Sequence, residues 1–331
     1  MRYQSEVLII GAGMSGLLAG KILSQSGIKV MILEKSPGVG GRMATRRFKQ
    51  GVFDHGAQFF TAREEKFQQL VDLWIKEKIA FEWFGSLRKS DDLPRSGGHP
   101  RYRGLRGMTT VAKYLARDLD IHLQTHVKSV SKESDWWVAQ TENGEEYIAR
   151  QIVLSAPIPQ SLNLLESGDV TFPSFEYKTL KAIEYHPCIT GLVLLDGPSA
   201  IPSPGGMKFD KGDIQWLGDN SQKGISPKTT AITIHGSQDF SRENFELPAE
   251  KLIEVLVKAA KPWLGQEIQD WQIHKWRYAQ PTNLYPAKFL EFPGHRGLFI
   301  TGDAFGGARV EGAALSGIEV AFHLREQVSM S

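Results

Sequence analysis

The chain has 331 residues, 41% hydrophobic and 23% charged, which suffices for one large core or two moderate ones and excludes a disordered composition. Its 39 basic and 37 acidic residues leave a formal net charge of +2, so no global field points to nucleic acid or to an anionic membrane. One cysteine, Cys188, excludes an internal disulfide and a thiolate metal cluster and fits a reducing compartment.

Residues 7–10 read as a buried parallel strand and 17–26 as a helix. Between them stands Gly11-Ala12-Gly13-Met14-Ser15-Gly16, in the strand-turn-helix setting that a phosphate-binding glycine loop needs. Gly11 allows the tight turn, Gly13 lets a pyrophosphate approach the backbone, and Gly16 lets the helix pack on the strand with its amides aimed at the anion. A second strand over 28–33 ends at Glu34, followed by Lys35; a carboxylate there can accept both ribose hydroxyls, which marks an adenosine site. The uncharged stretch 7–20 superficially imitates a signal peptide, but its glycines keep fingerprint spacing, Lys21 ends it and no small-residue cleavage site follows. The chain is therefore expected to be unprocessed and, with no other apolar run near the ~18 residues a membrane span needs, cytoplasmic by default.

Gly40-Gly41-Arg42 offers a second set of pyrophosphate contacts, with the Arg42 guanidinium able to bond bidentately. A helix over 64–78 keeps Phe67, Leu70, Val71, Trp74 and Ile75 at helical spacing, and a polar passage over 86–107 carries Arg88, Arg95, Arg101, Arg103 and Arg106. A helix over 108–119 precedes strands over 121–125, 127–131, 136–140 and 147–154, a small meander with Asn143-Gly144 as a hairpin turn. The chain is expected to leave the nucleotide domain at Ser155-Ala156-Pro157. Strands over 180–185, 189–195, 230–235 and 271–278, with one helix over 248–260, then suggest a mixed or antiparallel sheet. The expected fold is α/β: a discontinuous Rossmann-like dinucleotide-binding domain over 1–160 and 285–331, with a parallel sheet and the inserted β-meander, and an inserted α+β substrate domain over 161–284, with 80–106 a candidate addition to it.

After a strand over 297–300 the chain reads Thr301-Gly302-Asp303-Ala304-Phe305-Gly306-Gly307-Ala308-Arg309-Val310-Glu311-Gly312-Ala313. Asp303 suits a hydrogen bond to a ribityl hydroxyl, and a helix from 311 to about 325 would point its positive end at the pyrimidine side of a flavin. Val310 can offer its backbone amide to that ring. Arg309 is either a clamp on an anionic substrate or a partner of the cofactor or a neighbouring acid.

The amino-terminal fingerprint, Gly40-Gly41-Arg42 and the terminal Gly302-Asp303 with Arg309-Val310-Glu311-Gly312-Ala313 resemble the flavin amine oxidase superfamily. Within it, Asp54-His55-Gly56-Ala57-Gln58-Phe59-Phe60-Thr61-Ala62-Arg63, His274-Lys275-Trp276-Arg277-Tyr278 and the compact length are similar to the bacterial renalases. The resemblance covers the whole chain. It implies non-covalent FAD and oxidation of dihydronicotinamide isomers of NAD(P)H to NAD(P)+, by hydride transfer to the flavin N5, with oxygen reoxidising the flavin to give hydrogen peroxide. It also implies that Gln58 and Phe59 lie against the flavin; Ala57 and Val127 complete the expected cofactor set, and Phe60 joins the substrate set.

Trp276 and Tyr278 share one face of their strand, as core or as an aromatic sandwich over the flavin, and Arg277 faces the other way in an ion pair. His235 ends an apolar strand, as a satisfied surface group or at the edge of the cavity. Arg63, Arg101 and Arg103 are candidates for a substrate pyrophosphate or 2'-phosphate, each with a solvated surface role as its alternative. His122 and His126 lie on a strand, so no metal site is expected, and no serine sits in a nucleophile elbow. For true amine oxidation, which in the family uses a lysine to hold a water at the flavin N5, Lys288 is the one lysine nominated between Tyr278 and the terminal loop. The partners expected are a small dinucleotide substrate and oxygen. Two other functions stay open: an oxidase or desaturase of an amine, a carotenoid precursor or another apolar ring, and a non-catalytic flavin-binding module.

Overall fold

The computed structural model describes residues 1–85, 88–89 and 98–329, and the chain divides into two compact units. The first gathers Met1–Gly41, Ala112–Glu184 and Pro281–Ser331; the second, Arg42–Val111 and Tyr185–Gln280. This differs from a division at 160 and 285. Residues 42–111 belong with the inserted segment because the hairpin Thr45–Phe48 and Gly51–Asp54 sends Phe53 into a cluster with Leu192, Leu194 and Ala231. Residues 161–184 stay with the first unit because the helix Ile158–Glu166 packs on the strand Val127–Glu133. Among the described residues no helix is long and apolar enough to cross a membrane.

The first unit is built on a sheet ordered Leu290–Glu291, Leu298–Ile300, Glu146–Leu154, Arg2–Ile10, Val30–Leu33, Asp120–His122. All neighbours on this path are parallel except the first pair, and Ile9 lies opposite both Ile32 and Val153. Val7, Leu8 and Ile9 are wholly buried, as a parallel strand covered on both faces must be. Val127–Glu133 and Trp136–Thr141 add the antiparallel meander to Glu146–Leu154. The strand expected over 121–125 is shorter, Asp120–His122, and instead of joining the meander it extends the parallel sheet beside Val30–Leu33. The first helix, Met14–Gln25, starts three residues before the expected 17, directly from the glycine loop. It meets the last helix, Val310–Ser329, at Gly317, where a Cβ would stand 2.3 Å from the Ser15 carbonyl oxygen; only glycine lets these backbones touch.

The second unit is a six-stranded sheet ordered Ile268–Pro281, Tyr185–Leu195, Thr230–Gly236, Ile214–Asp219, Gly206–Lys208, Arg88–Lys89. The strand expected over 180–185 does not form. Its first residues end the helix Ser174–Lys181, which opens after Pro173, carries Glu176 in its first turn and Lys178 and Lys181 in its last, and so agrees with its own dipole. The sheet has two unlike faces. Ile189, Val193, Leu217, Ile232 and Ile234 are buried with Leu252, Ile253, Leu256 and Leu264 of the helix Ala249–Leu264, each worth about 1.5–3 kcal/mol of hydrophobic stabilisation. On the other face Thr190, His235 and Trp216 lie in one cross-strand row and Leu192, Thr233 and Gly218 in the next.

Candidate functional site

In the first unit the two ends of the chain come together around the glycine loop. Gly11, at φ +108°, turns out of the strand, a conformation side chains rarely adopt. The helix Met14–Gln25 opens on Gly13 with no side-chain cap and no acidic residue in its first turn, and a Cβ on Gly13 would meet nothing within 4 Å. The positive end of a helix thus faces open space, which is the condition for holding a phosphate. Glu34, 6% exposed, accepts from the Ala12 and Ser36 amides at 2.8 Å each, which fixes the loop and leaves carboxylate lone pairs for hydroxyl donors. Lys35 is exposed. A Cβ on Gly41 would stand 3.5 Å from the Gly13 Cα.

From the other chain end, Thr301 Oγ1 lies 2.9 Å from Ser15 Oγ and 2.6 Å from Ser316 Oγ, and the Gly302 amide donates to Ser316 Oγ at 2.9 Å. This hydroxyl relay ties Gly302 and the buried Asp303 to the loop helix, while Val310 opens the terminal helix and Arg309 beside it is exposed. Val127, half-buried, opens its strand. An uncapped helix end, open room at Gly13 and a buried carboxylate after the second strand fit the dinucleotide portion of FAD. Lys288 is exposed, and its carbonyl accepts from Ser316 Oγ.

In the second unit the segment 54–60 is clamped to the polar face of the sheet. The fully buried Asp54 carboxylate accepts from Thr45 Oγ1 at 2.6 Å, the Met108 amide at 2.8 Å and Lys223 Nζ at 2.5 Å. Lys223, 1% exposed, also donates to the Gln58 carbonyl and lies 4.8 Å from the Trp83 ring centre. Burial lowers its hold on a proton, and the charge and hydrogen bond of Asp54 oppose that. Gln58 Nε2 donates to the Asp54 and Gly56 carbonyls and lies 3.4 Å from His235 Nε2. The Ala57 amide donates to the Arg42 carbonyl, and Arg42 Nη1 donates to the Tyr278 and Ala279 carbonyls at 3.4 and 3.2 Å.

Three histidines here are held neutral. Burial, then the charges of His274 and Arg46, push His55 down to about 3; burial lowers His235 to about 4, and burial with Arg46 lowers His274 to about 4. Trp276 Nε1 donates to the His55 carbonyl at 3.0 Å, and its ring lies 5.0 Å from His55 and 4.3 Å from His274. Tyr278 packs instead on Tyr185, 5.6 Å between centres, so the two aromatics on this strand face share no partner ring. Arg277, on the outer side, pairs with Glu246 at 3.1 Å.

Phe60, expected at the substrate, is 2% exposed among Phe67, Trp74 and Tyr102, and its ring is committed to the core. Phe59 is only half-buried, 5.5 Å from Trp216, and the Arg101 guanidinium lies 5.8 Å from its ring centre. Burial, then the charge of Arg63, lower the hold of Arg101 on its proton, and Arg101 Nη1 donates to the Gly85 and His99 carbonyls at 2.7 and 3.1 Å. Arg103 donates to the Gly104 and Leu105 carbonyls of its own loop, and Arg106 is exposed. Arg95 and the side chain of Arg88 lie outside the described residues. Burial pushes the Cys188 thiol up to about 11, which makes it inert core. Lys223, Trp216, His55 and His274 carry no role in the sequence expectations; the alternation over 214–219 would have found Trp216.

A model of flavin containing amine oxidoreductases matches residues 78–324, and a model of NAD(P)-binding Rossmann-like domains matches residues 9–74. Polyamine oxidase 7 of Oryza sativa subsp. japonica is 56% identical over 55 residues, 16% of this chain and 12% of that protein. The chain thus matches about an eighth of that relative's length. Among solved structures, putrescine oxidase bound to putrescine aligns with a TM-score of 0.72 and 15% identity over 98% of this chain and 99% of that one. Cyclohexylamine oxidase from Brevibacterium oxydans IH-35A aligns with a TM-score of 0.73 and 14% identity over the same shares. At such identities the likeness is one of fold, and that fold is α/β with a Rossmann-like FAD-binding unit.

Proposed function

The chain belongs to the flavin containing amine oxidoreductase family, with FAD as its cofactor, and from that premise we propose that it is a renalase-like oxidase of dihydronicotinamide isomers of NAD(P)H. Its products are NAD(P)+ and, from oxygen, hydrogen peroxide. In the first unit the loop from Gly11 to Gly16 and Gly41 would take the pyrophosphate, Glu34 the adenosine ribose, Asp303 a ribityl hydroxyl, and the Val310 amide the ring. When bound, FAD supplies the hydride acceptor and passes the electron pair to oxygen. A reducing compartment, the cytoplasm, suits a chain whose only cysteine is buried.

The observation that carries this is the half-buried Arg101 guanidinium, 5.8 Å from the Phe59 ring centre and subject to the charge of Arg63. A guanidinium whose hold on its proton is lowered by burial and by a second cation favours an anion beside it, which a dinucleotide provides and an amine or carotenoid precursor does not. The neutral histidines agree with it. A dihydropyridine that loses hydride becomes an aromatic cation without any protein base, so nearby imidazoles serve best uncharged. The test is to mix the purified yellow protein anaerobically with aged NADH that contains its isomers. Loss of the flavin absorbance is expected; flavin that stays oxidised with these isomers and bleaches with amines would transfer the chain to the amine oxidase reading.

A further inference from the structure

Among the described residues of the second unit, the acceptor Gln58 Oε1 and the donor Trp216 Nε1 are buried without a hydrogen-bond partner, as are His55 Nδ1, Arg101 Nε and Gln272 Oε1. Gln58 and Trp216 are each 6% exposed. The two atoms converge on one place, since a Cβ on Gly218 would stand 2.7 Å from Gln58 Oε1 and 2.9 Å from Trp216 Nε1. Their orientations are fixed. Gln58 Nε2 already donates to the Asp54 and Gly56 carbonyls, so the oxygen is the end left over, and the indole is held among the rings of Phe59 and Trp83, at 5.5 and 6.2 Å. A buried donor and a buried acceptor left unmade side by side are a standing penalty that folds rarely keep without use.

We infer that this pair reads the primary carboxamide of the substrate. The carboxamide carbonyl accepts from Trp216 Nε1, and its N–H donates to Gln58 Oε1. The inference rests on the dihydronicotinamide reading above and makes Gln58 and Trp216 specificity-determining residues for it. A carboxylate in the same place would set oxygen against Gln58 Oε1, and an amine would leave Trp216 unanswered. Gly218 keeps the place clear, because any side chain there presses on both atoms.

The test is calorimetric titration of the FAD-loaded protein with nicotinamide, nicotinate and 3-acetylpyridine, which keeps a carbonyl and lacks the N–H. Nicotinamide is expected to bind about tenfold or more tightly than the other two, in line with one lost hydrogen bond and an orphaned partner. Trp216→Phe, which keeps the ring and drops the donor, is expected to weaken nicotinamide about tenfold with flavin content and absorbance as in the unsubstituted protein. Equal binding of the three ligands, or nicotinamide affinity unchanged in Trp216→Phe, overturns the inference. So does an altered flavin spectrum with ligand affinity intact, which would give the pair to the flavin's own imide edge. If dihydronicotinamide isomers leave the flavin oxidised while the ranking of ligands holds, the proposed function falls and the carboxamide site stands.

Discussion

Replacing Asp54 by asparagine should destabilise the second unit strongly, and by an amount that shrinks as pH rises. The substituted amide keeps one oxygen to accept from Thr45 Oγ1 and the Met108 amide, so those contacts survive. What is lost is the anion facing Lys223 Nζ at 2.5 Å, and the new NH2 group sets donor against donor. Lys223 is left 1% exposed with only the Gln58 carbonyl and the Trp83 ring for compensation. Removing one member of a buried ion pair costs about 3–5 kcal/mol, and at about 2–4 °C per kcal/mol for a unit of this size the melting point should drop by roughly 10 °C. Burial already lowers the proton affinity of Lys223, and Asp54 is the group opposing it. Without Asp54 the native lysine sheds its proton below the ordinary range while the unfolded lysine keeps it to about pH 10.4. The unfolded chain then binds more protons, so the variant gains stability with rising pH. Thermal melts by circular dichroism at pH 6, 7.5 and 9.5, at fixed FAD loading, measure this. A drop under about 3 °C, or a gap to the unsubstituted protein that does not change with pH, would refute the reasoning.

Gly13→Val should leave the apoprotein melting point within the equivalent of about 1 kcal/mol, because φ −79° suits any residue and the space is open, yet cut FAD content of the purified protein about tenfold or more; a normal flavin to protein ratio would remove the phosphate from this loop. Arg309→Ala should raise KM for the substrate more than it lowers flavin content, and steady-state kinetics beside the absorbance ratio decide which partner Arg309 serves. The native values of about 3 for His55 and about 4 for His235 and His274 lie below the ordinary imidazole value, so the unfolded chain takes up protons first as pH falls. Stability should be full above about pH 6.5 and decline down to about pH 3, and urea midpoints across that range should show a shallower slope in His55→Gln.

How much of this was legible in the sequence depends on how local the cause is. The strand ending at Ile10, the glycine loop and Glu34 were readable because a parallel strand buried on both faces leaves an unbroken apolar run and the loop chemistry is contiguous. The helix Glu65–Lys76 was readable from spacing alone. The segment 180–185 misled because Leu-Lys-Ala-Ile-Glu-Tyr is short enough to satisfy either period, and the start at Pro173 with lysines in the last turn decided it. Lys223 was invisible: it sits in a polar turn, and its partner Asp54 is 169 residues away. The unit boundary at Arg42 escaped for a similar reason, since the hairpin Thr45–Phe48 and Gly51–Asp54 is recruited by long-range packing of Phe53 rather than by any strong strand pattern of its own.

The two faces of the second sheet also constrain the charge that its chemistry can tolerate. Strand alternation sends Leu217, Ile232 and Ile234 to the helix-covered core, and the same period puts Trp216, Thr233 and His235 on the opposite side. The charge of Lys223, the buried cation against the segment 54–60, is answered at once by Asp54, and burial keeps His55 and His235 neutral. These groups therefore leave no uncompensated positive charge against the segment 54–60. Burial that keeps these histidines neutral thus also sets the pH range in which the fold around them is stable.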